Sequence, residues 1–466
     1  MISLYDYQER CVEDIRSAYR SGKRAPLLQL ATGGGKTIIF SYIAMGAQKL
    51  GKRVLVLVHR QELLDQVCAT LAQFDVRHGV IDPLHQFVSK AQTQVASIFT
   101  LIRRLERTPP PDLIIIDEAH HATLKSTWGK VIAHWPRAKL LGVTATPCRL
   151  SGEGLGDIFD CLITGPAPQA LIDAGRLSAV RVFAPPTIST AGLHTRMGEY
   201  VTAELQTLVD RPSVTGDAIE HYQKITSGAR AAVFCVSLEH ADKIARAARA
   251  ANIKAVMIDG KMDKALRREV VRDYSLGRLD WLVSVDLISE GFDCPGIEVG
   301  ISLRPTQSTG LWLQQCGRIL RVFPGKRCAT ILDHSGNSLR HGLPTEDRHW
   351  TLEGSLGVAK VDGKLSLRVC PKCFSAQVSG KAMCTNCGLT FAVEPRTVAS
   401  RSGTLEELTP EKIAAATASR KARQAVGQTK TLASLVELGR LRNYKNPEAW
   451  AEYVMAGREK KGGVRP

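Results

Sequence analysis

Residues 27–37 read LLQLATGGGKT and residues 113–120 read LIIIDEAH, and these two stretches carry side chains suited to phosphate chemistry. Gly33, Gly34 and Gly35 have no Cβ, so successive backbone N–H groups there can turn inward onto an anion. A helix starting near Lys36 adds its positive end. The Lys36 ammonium reaches β- and γ-phosphates and the Thr37 hydroxyl can ligate Mg2+, which makes residues Thr32 to Thr37 the expected nucleotide-binding turn. The second stretch is an apolar strand that delivers Asp117 and Glu118 together at its carboxyl end, the edge of a parallel sheet where ligands bind. Asp117 is suited to hold Mg2+, and Glu118 to orient and deprotonate a water attacking the γ-phosphate. The strict phosphate-loop pattern has glycine six residues before the lysine, where this sequence has Leu30. With both motifs strand-borne, the reading is an NTP-hydrolysing site.

A second cluster is metallic. Cys370-Pro-Lys-Cys373 and Cys384-Thr-Asn-Cys387 form two C-x-x-C pairs ten residues apart, the spacing of a four-thiolate structural Zn2+ site. Such a small module has little core, so metal binding substitutes for hydrophobic folding energy. The other eight cysteines are scattered, which suits a reducing cytoplasm better than a disulfide scaffold.

The elements that must position these groups follow a βαβ rhythm. The chain has 466 residues, room for two or three domains, and a net charge of +17 that predicts a polyanionic partner. No apolar run approaches the ~20 residues needed to span a bilayer, so no membrane association is expected. Residues 3–20 read as a turn and an amphipathic helix. Gln8 at its start carries an amide able to read an adenine edge, with Tyr5 placed to stack on a base. The strand at 53–58 ends in His59-Arg60, with Arg60 either a phosphate contact or a helix cap. Residues 94–97 end in Ser97, where small side chains let backbone amides approach a sugar-phosphate chain. The strand at 139–143 runs into Thr144-Ala145-Thr146-Pro147, hydroxyls suited to bonding the nearby carboxylates. The rhythm resumes from Ala231 without a second phosphate loop, so the second half must complete the first site.

In order, Gln8, ATGGGKT, VHR, DEAH and TATPCR resemble the helicases and translocases of superfamily 2, in the DEAH-signature branch of type III restriction subunits and DNA-repair helicases. The family usually has a basic residue just before its adenine-reading glutamine, and Tyr5-Asp6-Tyr7 departs from that. The resemblance covers about residues 1–340 and implies two tandem RecA-like parallel-sheet α/β domains, with ATP and Mg2+ bound between them. It implies that Gly291 and Asp293, in Glu290-Gly-Phe-Asp293, couple nucleotide to the nucleic-acid strand. Gln314-x-x-Gly317-Arg318-x-x-Arg321 follows, with both arginines on one helical face; a guanidinium fork suits a transferring phosphoryl group. Lys36, Glu118, Gln314, Arg318 and Arg321 are thus the expected catalytic set. Arg60, Ser97, Thr144, Thr146 and Arg304 are the expected nucleic-acid contacts.

The expected layout is a first RecA-like domain over 1–180, a connector over 181–215, a second RecA-like domain over 216–345, a zinc ribbon over 346–395 and a basic helical tail over 396–466. The expected function is an ATP-dependent helicase acting on single-stranded or forked nucleic acid, DNA favoured over RNA by the resemblance. Two other classes compete: a double-strand translocase or annealing remodeller that does not separate strands, and an ATP-gated adaptor that recruits a replication or repair partner through ribbon and tail.

Overall fold

A computed structural model describes residues 3–85, 90–149, 152–184, 192–196, 199–209, 212–285, 294, 296–355, 360–361, 364–365, 367–391 and 431–462. The expected helix over 410–426 and the residues Gly291 and Asp293 lie outside these.

The first lobe is a seven-stranded, wholly parallel sheet. Its strands are β1 (Pro26–Gln29), β2 (Val54–Val58), β3 (His78–Ile81), β4 (Thr93–Ser97), β5 (Leu113–Asp117), β6 (Lys139–Thr144) and β7 (Cys161–Thr164), in the order β3-β4-β2-β5-β6-β1-β7. Strands such as VLVLV and LIIID are apolar without alternation because helices cover both faces of the sheet. Helix α1 (Asp6–Arg20) packs Cys11, Val12 and Ile15 inward. Helices α2 (Lys36–Lys49) and α3 (Gln61–Gln73) follow β1 and β2 directly. The glycine turn leaves β1 and the DEAH turn leaves β5, separated only by β6, so both emerge at the same carboxyl edge.

The second lobe is an eight-stranded sheet. Its parallel strands run in the order Ala255–Met257, Trp281–Ser284, Ala231–Phe234, Val299–Ser302, Ala329–Asp333, Val180–Phe183. Beyond them the hairpin Leu367–Val369/Ser375–Val378 adds two antiparallel strands, Ser375 pairing with Phe183 and Ala376 with Val182. This corrects the sequence-based layout twice. Val180–Phe183, expected at the start of a connector, is a strand of the second sheet. The cysteine-bearing ribbon, expected as a separate appendage, continues that sheet. The physical reason is that VRVF offers an apolar edge with unpaired N–H and C=O groups, and the hairpin satisfies them.

Residues 393–466 form a second compact unit. Within it, Leu432–Leu441 and Pro447–Gly462 make a helical hairpin, with Trp450 edge-on to Tyr444 at 4.9 Å and Leu435 and Ala451 buried.

Candidate nucleotide cleft and metal site

The glycine turn takes the shape that its residues dictate. Gly33 and Gly35 both sit at φ +86°, a region in which a side chain would be strained, and Gly35 caps α2. Tyr7 Oη donates to Gly34 O (2.9 Å) and braces the turn from α1. Lys36 is buried, its Nζ 3.5 Å from Leu30 O at the start of the turn. Across the cleft, Asp117 and Glu118 leave β5 with Glu118 in the left-handed conformation at φ +49°, and Asp117 Oδ1 accepts the Glu118 N–H (3.0 Å). Burial first, and then the adjacent Glu118 charge, push Asp117 up to about 7, while Lys36 and Arg318 pull it the other way. A buried carboxylate beside a second carboxylate is a site that gains from a divalent cation.

The second lobe closes this cleft with the helix Thr309–Ile319. Thr32, Gly33, Gly35, Lys36, Thr37, Asp117 and Glu118 of the first lobe line a cavity of about 330 Å³ together with Arg176 and with Arg318 and Arg321 of the second lobe. The approach is close. A Cβ on Gly317 would stand 2.3 Å from Thr32 Cβ, and one on Gly33 would stand 3.6 Å from Arg321 Cγ. The arginine face is therefore turned onto the glycine turn.

A hydrogen-bonded chain runs between the lobes beside the carboxylates. Gln314 Nε2 donates to His120 Nε2 (3.1 Å), which leaves the imidazole proton on Nδ1 to donate to Thr144 Oγ1 (2.9 Å). Thr144 Oγ1 in turn donates to Thr146 O (3.0 Å), and His120 Nδ1 lies 3.4 Å from Glu118 Oε2. Thr144 and Thr146 are fully buried. Both were expected as nucleic-acid contacts; in this structure the Thr144 hydroxyl bonds His120 and Thr146 O, and neither side chain is open to solvent. His120 was missed in the sequence although it completes DEAH; Gln314, 194 residues away, gives it a partner that spacing does not reveal.

The remaining expected contacts lie at sheet edges. Val58 pairs with Ser97, the last residue of β4, and Arg60 follows two residues beyond Val58, so both lie toward the carboxyl edge of the sheet. Arg60 is also the N-terminal residue before α3. Arg304 follows Val299–Ser302 in the second lobe, half-buried, its carbonyl accepting from Asn337 Nδ2 (2.9 Å). Gln8 stands in the first turn of α1, buried; its Oε1 accepts the Tyr5 N–H (3.0 Å) as part of the cap, and its Nε2 faces the phosphate turn, where a Cβ on Gly35 would stand 2.4 Å from it. Another bridge missed in the sequence joins the lobes at the cleft margin, Arg267 Nη1 to Glu62 Oε1 at 2.9 Å.

The four cysteines converge. Cys370 and Cys387 Sγ lie 3.6 Å apart, as do Cys373 and Cys384, and all four sulfurs fall within 4.8 Å of one another. That exceeds a disulfide bond of about 2.05 Å and matches the edge of a tetrahedron with metal–sulfur bonds of about 2.3 Å. The Phe374 N–H donates to Cys370 O and the Gly388 N–H to Cys384 O, closing two like knuckles with φ +58° and +71° at their fifth residues. The set fits a thiophilic tetrahedral ion.

Two RecA-like lobes that share a phosphate turn, a carboxylate pair and an opposing arginine helix define a two-lobed, nucleotide-driven enzyme class. The family model "Type III restriction enzyme, res subunit" matches residues 1–149, and "Helicase conserved C-terminal domain" matches residues 215–323. A 51.5 kDa protein of a Lactococcus phage is 34% identical over 372 residues, 79% of each chain. The putative ATP-dependent helicase IRC3 of Saccharomyces cerevisiae is 26% identical over 72% of this chain, which spans 52% of that relative's length. Among solved structures, a fragment of a putative HsdR subunit of a type I restriction enzyme from Vibrio vulnificus superposes with a TM-score of 0.57 at 22% identity, covering 72% of this chain and 65% of that one. The chain belongs to the superfamily 2 helicases of the type III restriction branch, and is an ATP-hydrolysing helicase enzyme. No described helix is long and apolar enough to cross a membrane.

Proposed function

We propose that the chain couples ATP hydrolysis in the interlobe cleft to movement along, and separation of, DNA strands. The observation that carries this reading is the seating of the Arg318–Arg321 face on the glycine turn, within one cavity with Lys36 and Glu118. In this scheme Thr32–Thr37 hold the triphosphate, and Thr37 and Asp117 hold Mg2+. Glu118 draws the proton from the attacking water, while Arg318 and Arg321 stabilise charge on the transferred phosphoryl group. Gln314 and His120 make the geometry around Glu118 depend on lobe closure. Arg60, Ser97 and Arg304 offer phosphate contacts at the two sheet edges, and alternating lobe closure moves their grips along one strand. Zn2+ at the four cysteines holds the ribbon as a structural part of the second lobe. DNA rather than RNA is supported by the restriction-enzyme relationship.

The test is Glu118→Gln assayed beside the parent chain on single-stranded, forked, duplex and RNA–DNA substrates. Retained ATP binding with turnover reduced at least a hundredfold, and fork unwinding lost with it, is the expected result. Near-parental hydrolysis in the variant removes Glu118 as the base. Duplex-stimulated hydrolysis with strand displacement from a triplex but no fork unwinding makes the chain a double-strand translocase instead.

A further inference from the structure

The two arginines that face the phosphate turn are held in different ways. Arg318 lies within the helix Thr309–Ile319 and is carried by it. Arg321 stands two residues past the helix end, in a bridge to Leu177. Its side chain nonetheless lies against the turn, since a Cβ on Gly33 would stand 3.6 Å from Arg321 Cγ.

The last carbonyls of a helix have no partner within it and need donors from outside. Here three consecutive carbonyls receive them. Lys326 Nζ donates to Ile319 O and to Arg321 O (2.9 Å). The Ser178 N–H donates to Leu320 O (2.7 Å), and Ser178 Oγ donates to Arg321 O (3.1 Å). Lys326 reaches the helix end because the chain doubles back through Pro324 and Gly325. Gly325 sits at φ +81°, and the Lys326 N–H donates to Phe323 O (3.0 Å). An ammonium on the final carbonyls of a helix also meets the negative end of its dipole. Lys326 is not among the residues that line the nucleotide cavity.

We propose that Lys326 is a positioning residue for hydrolysis: its ammonium ties the carbonyls of Ile319 and Arg321 together and so holds the Arg321 guanidinium on the phosphate turn. The inference rests on the reading that Arg321 stabilises the transferred phosphoryl group. Burial pulls Lys326 down to about 8, against Glu298 and Cys328, which hold it up, and with Arg230, which lowers it further. Glu298 and Arg230 precede the strands Val299–Ser302 and Ala231–Phe234, and Cys328 precedes Ala329–Asp333. Loss of the ammonium charge above that pH weakens both charge-assisted bonds and loosens Arg321.

Steady-state ATPase assays of the full chain with single-stranded DNA, run from pH 6.5 to 9.5, test this in Lys326→Met, Lys326→Arg, Arg321→Ala and the Lys326→Met/Arg321→Ala double variant. A reacting group misplaced by about 1 Å costs on the order of a hundredfold in rate, so kcat at pH 7 should fall roughly ten- to a hundredfold in Lys326→Met. KM for ATP should stay within about twofold of the parent, because Lys36 and the glycine turn lie in the first lobe. Parental kcat should decline on the alkaline side with a midpoint of about 8. Lys326→Arg, whose guanidinium stays charged, should keep most of the kcat at pH 7 and lose that decline. With Arg321 already replaced, Lys326→Met should cost less than about twofold more. Three results overturn the role of Lys326 while leaving that of Arg321 in place: a Lys326→Met kcat within about threefold of the parent, equal losses with and without Arg321, or an alkaline decline that persists in Lys326→Arg. Parental kcat in Arg321→Ala instead removes the arginine reading on which the proposal stands.

Discussion

Gly317→Ala isolates the contribution of lobe closure. The new methyl carbon would stand 2.3 Å from Thr32 Cβ, 2.8 Å from its Cγ2 and 3.0 Å from its Oγ1. Carbon atoms settle at about 3.5–4.0 Å, so the arginine helix must retreat from the phosphate turn by roughly 1.2–1.7 Å. A displacement of about 1 Å at reacting groups costs on the order of a hundredfold in rate, and complete loss of an arginine finger costs about 10³–10⁵. The expected kcat is therefore about a hundredfold below the parent. Affinity for a non-hydrolysable ATP analogue should change little, since Lys36 and the glycine turn belong to the first lobe. The helix-propensity gain of about 1 kcal/mol offsets part of the roughly 1–3 kcal/mol overpacking cost, so the melting temperature should change by only a few degrees, and far-UV circular dichroism should match the parent. Adding Thr32→Gly removes the opposing Cβ and should restore part of the lost kcat. Steady-state ATPase assays with analogue titrations read all three quantities. A Gly317→Ala enzyme within about threefold of parental kcat refutes the closed-cleft argument.

Burial pushes His334 down to about 3 and His341 down to about 4, so both are neutral in the folded chain and protonate in the unfolded chain near 6.5. Their contribution is complete above 6.5 and erodes as pH falls toward the folded values, by about 2 kcal/mol each at pH 5. Urea midpoints measured from pH 7 to 5 should fall accordingly, and His341→Gln should flatten the slope; parallel curves for parent and variant refute the assignment. Cys384→Ser should abolish stoichiometric zinc in metal analysis and lower the melting temperature of the second lobe while ATP-analogue binding persists. A variant that keeps its metal and its melting temperature contradicts the four-thiolate reading. Glu62→Gln weakens the bridge to Arg267, which is partly open to solvent, so ATPase kcat/KM should drop two- to fivefold at low salt and less at high salt. A loss independent of salt assigns Glu62 a different role.

The phosphate turn, the carboxylate pair and the cysteine pairs were legible because each is a contiguous motif whose geometry follows from local backbone rules. The arginine helix was legible in part: Gly317 and Arg318 lie within Thr309–Ile319, but Arg321, expected on the same helical face, stands past the helix end in a bridge to Leu177. What stayed hidden was mostly the work of pairings distant in sequence. The VRVF strand preceding Pro185-Pro186 looks like a linker until Ser375–Val378 is known to lie beside it. Thr144 and Thr146 looked available as polar residues at a strand end, and only the second lobe shows why they are enclosed: His120, held by Gln314, meets Thr144, and Gly310 lies against Thr146. Lys326 lies outside every motif, and only the turn through Gly325 shows that it returns to the Arg321 carbonyl.

The hairpin that covers Val180–Phe183 has a consequence for how the chain is made. Synthesis proceeds from the first residue onward, so Ala329–Asp333 can dock beside that strand well before Ser375–Val378 has left the ribosome. During that interval the outer margin of the sheet is bare, a template for stray β-pairing with another copy. The same margin is bared by any truncation near residue 345, so a shortened chain would report its own self-association as well as the missing ribbon.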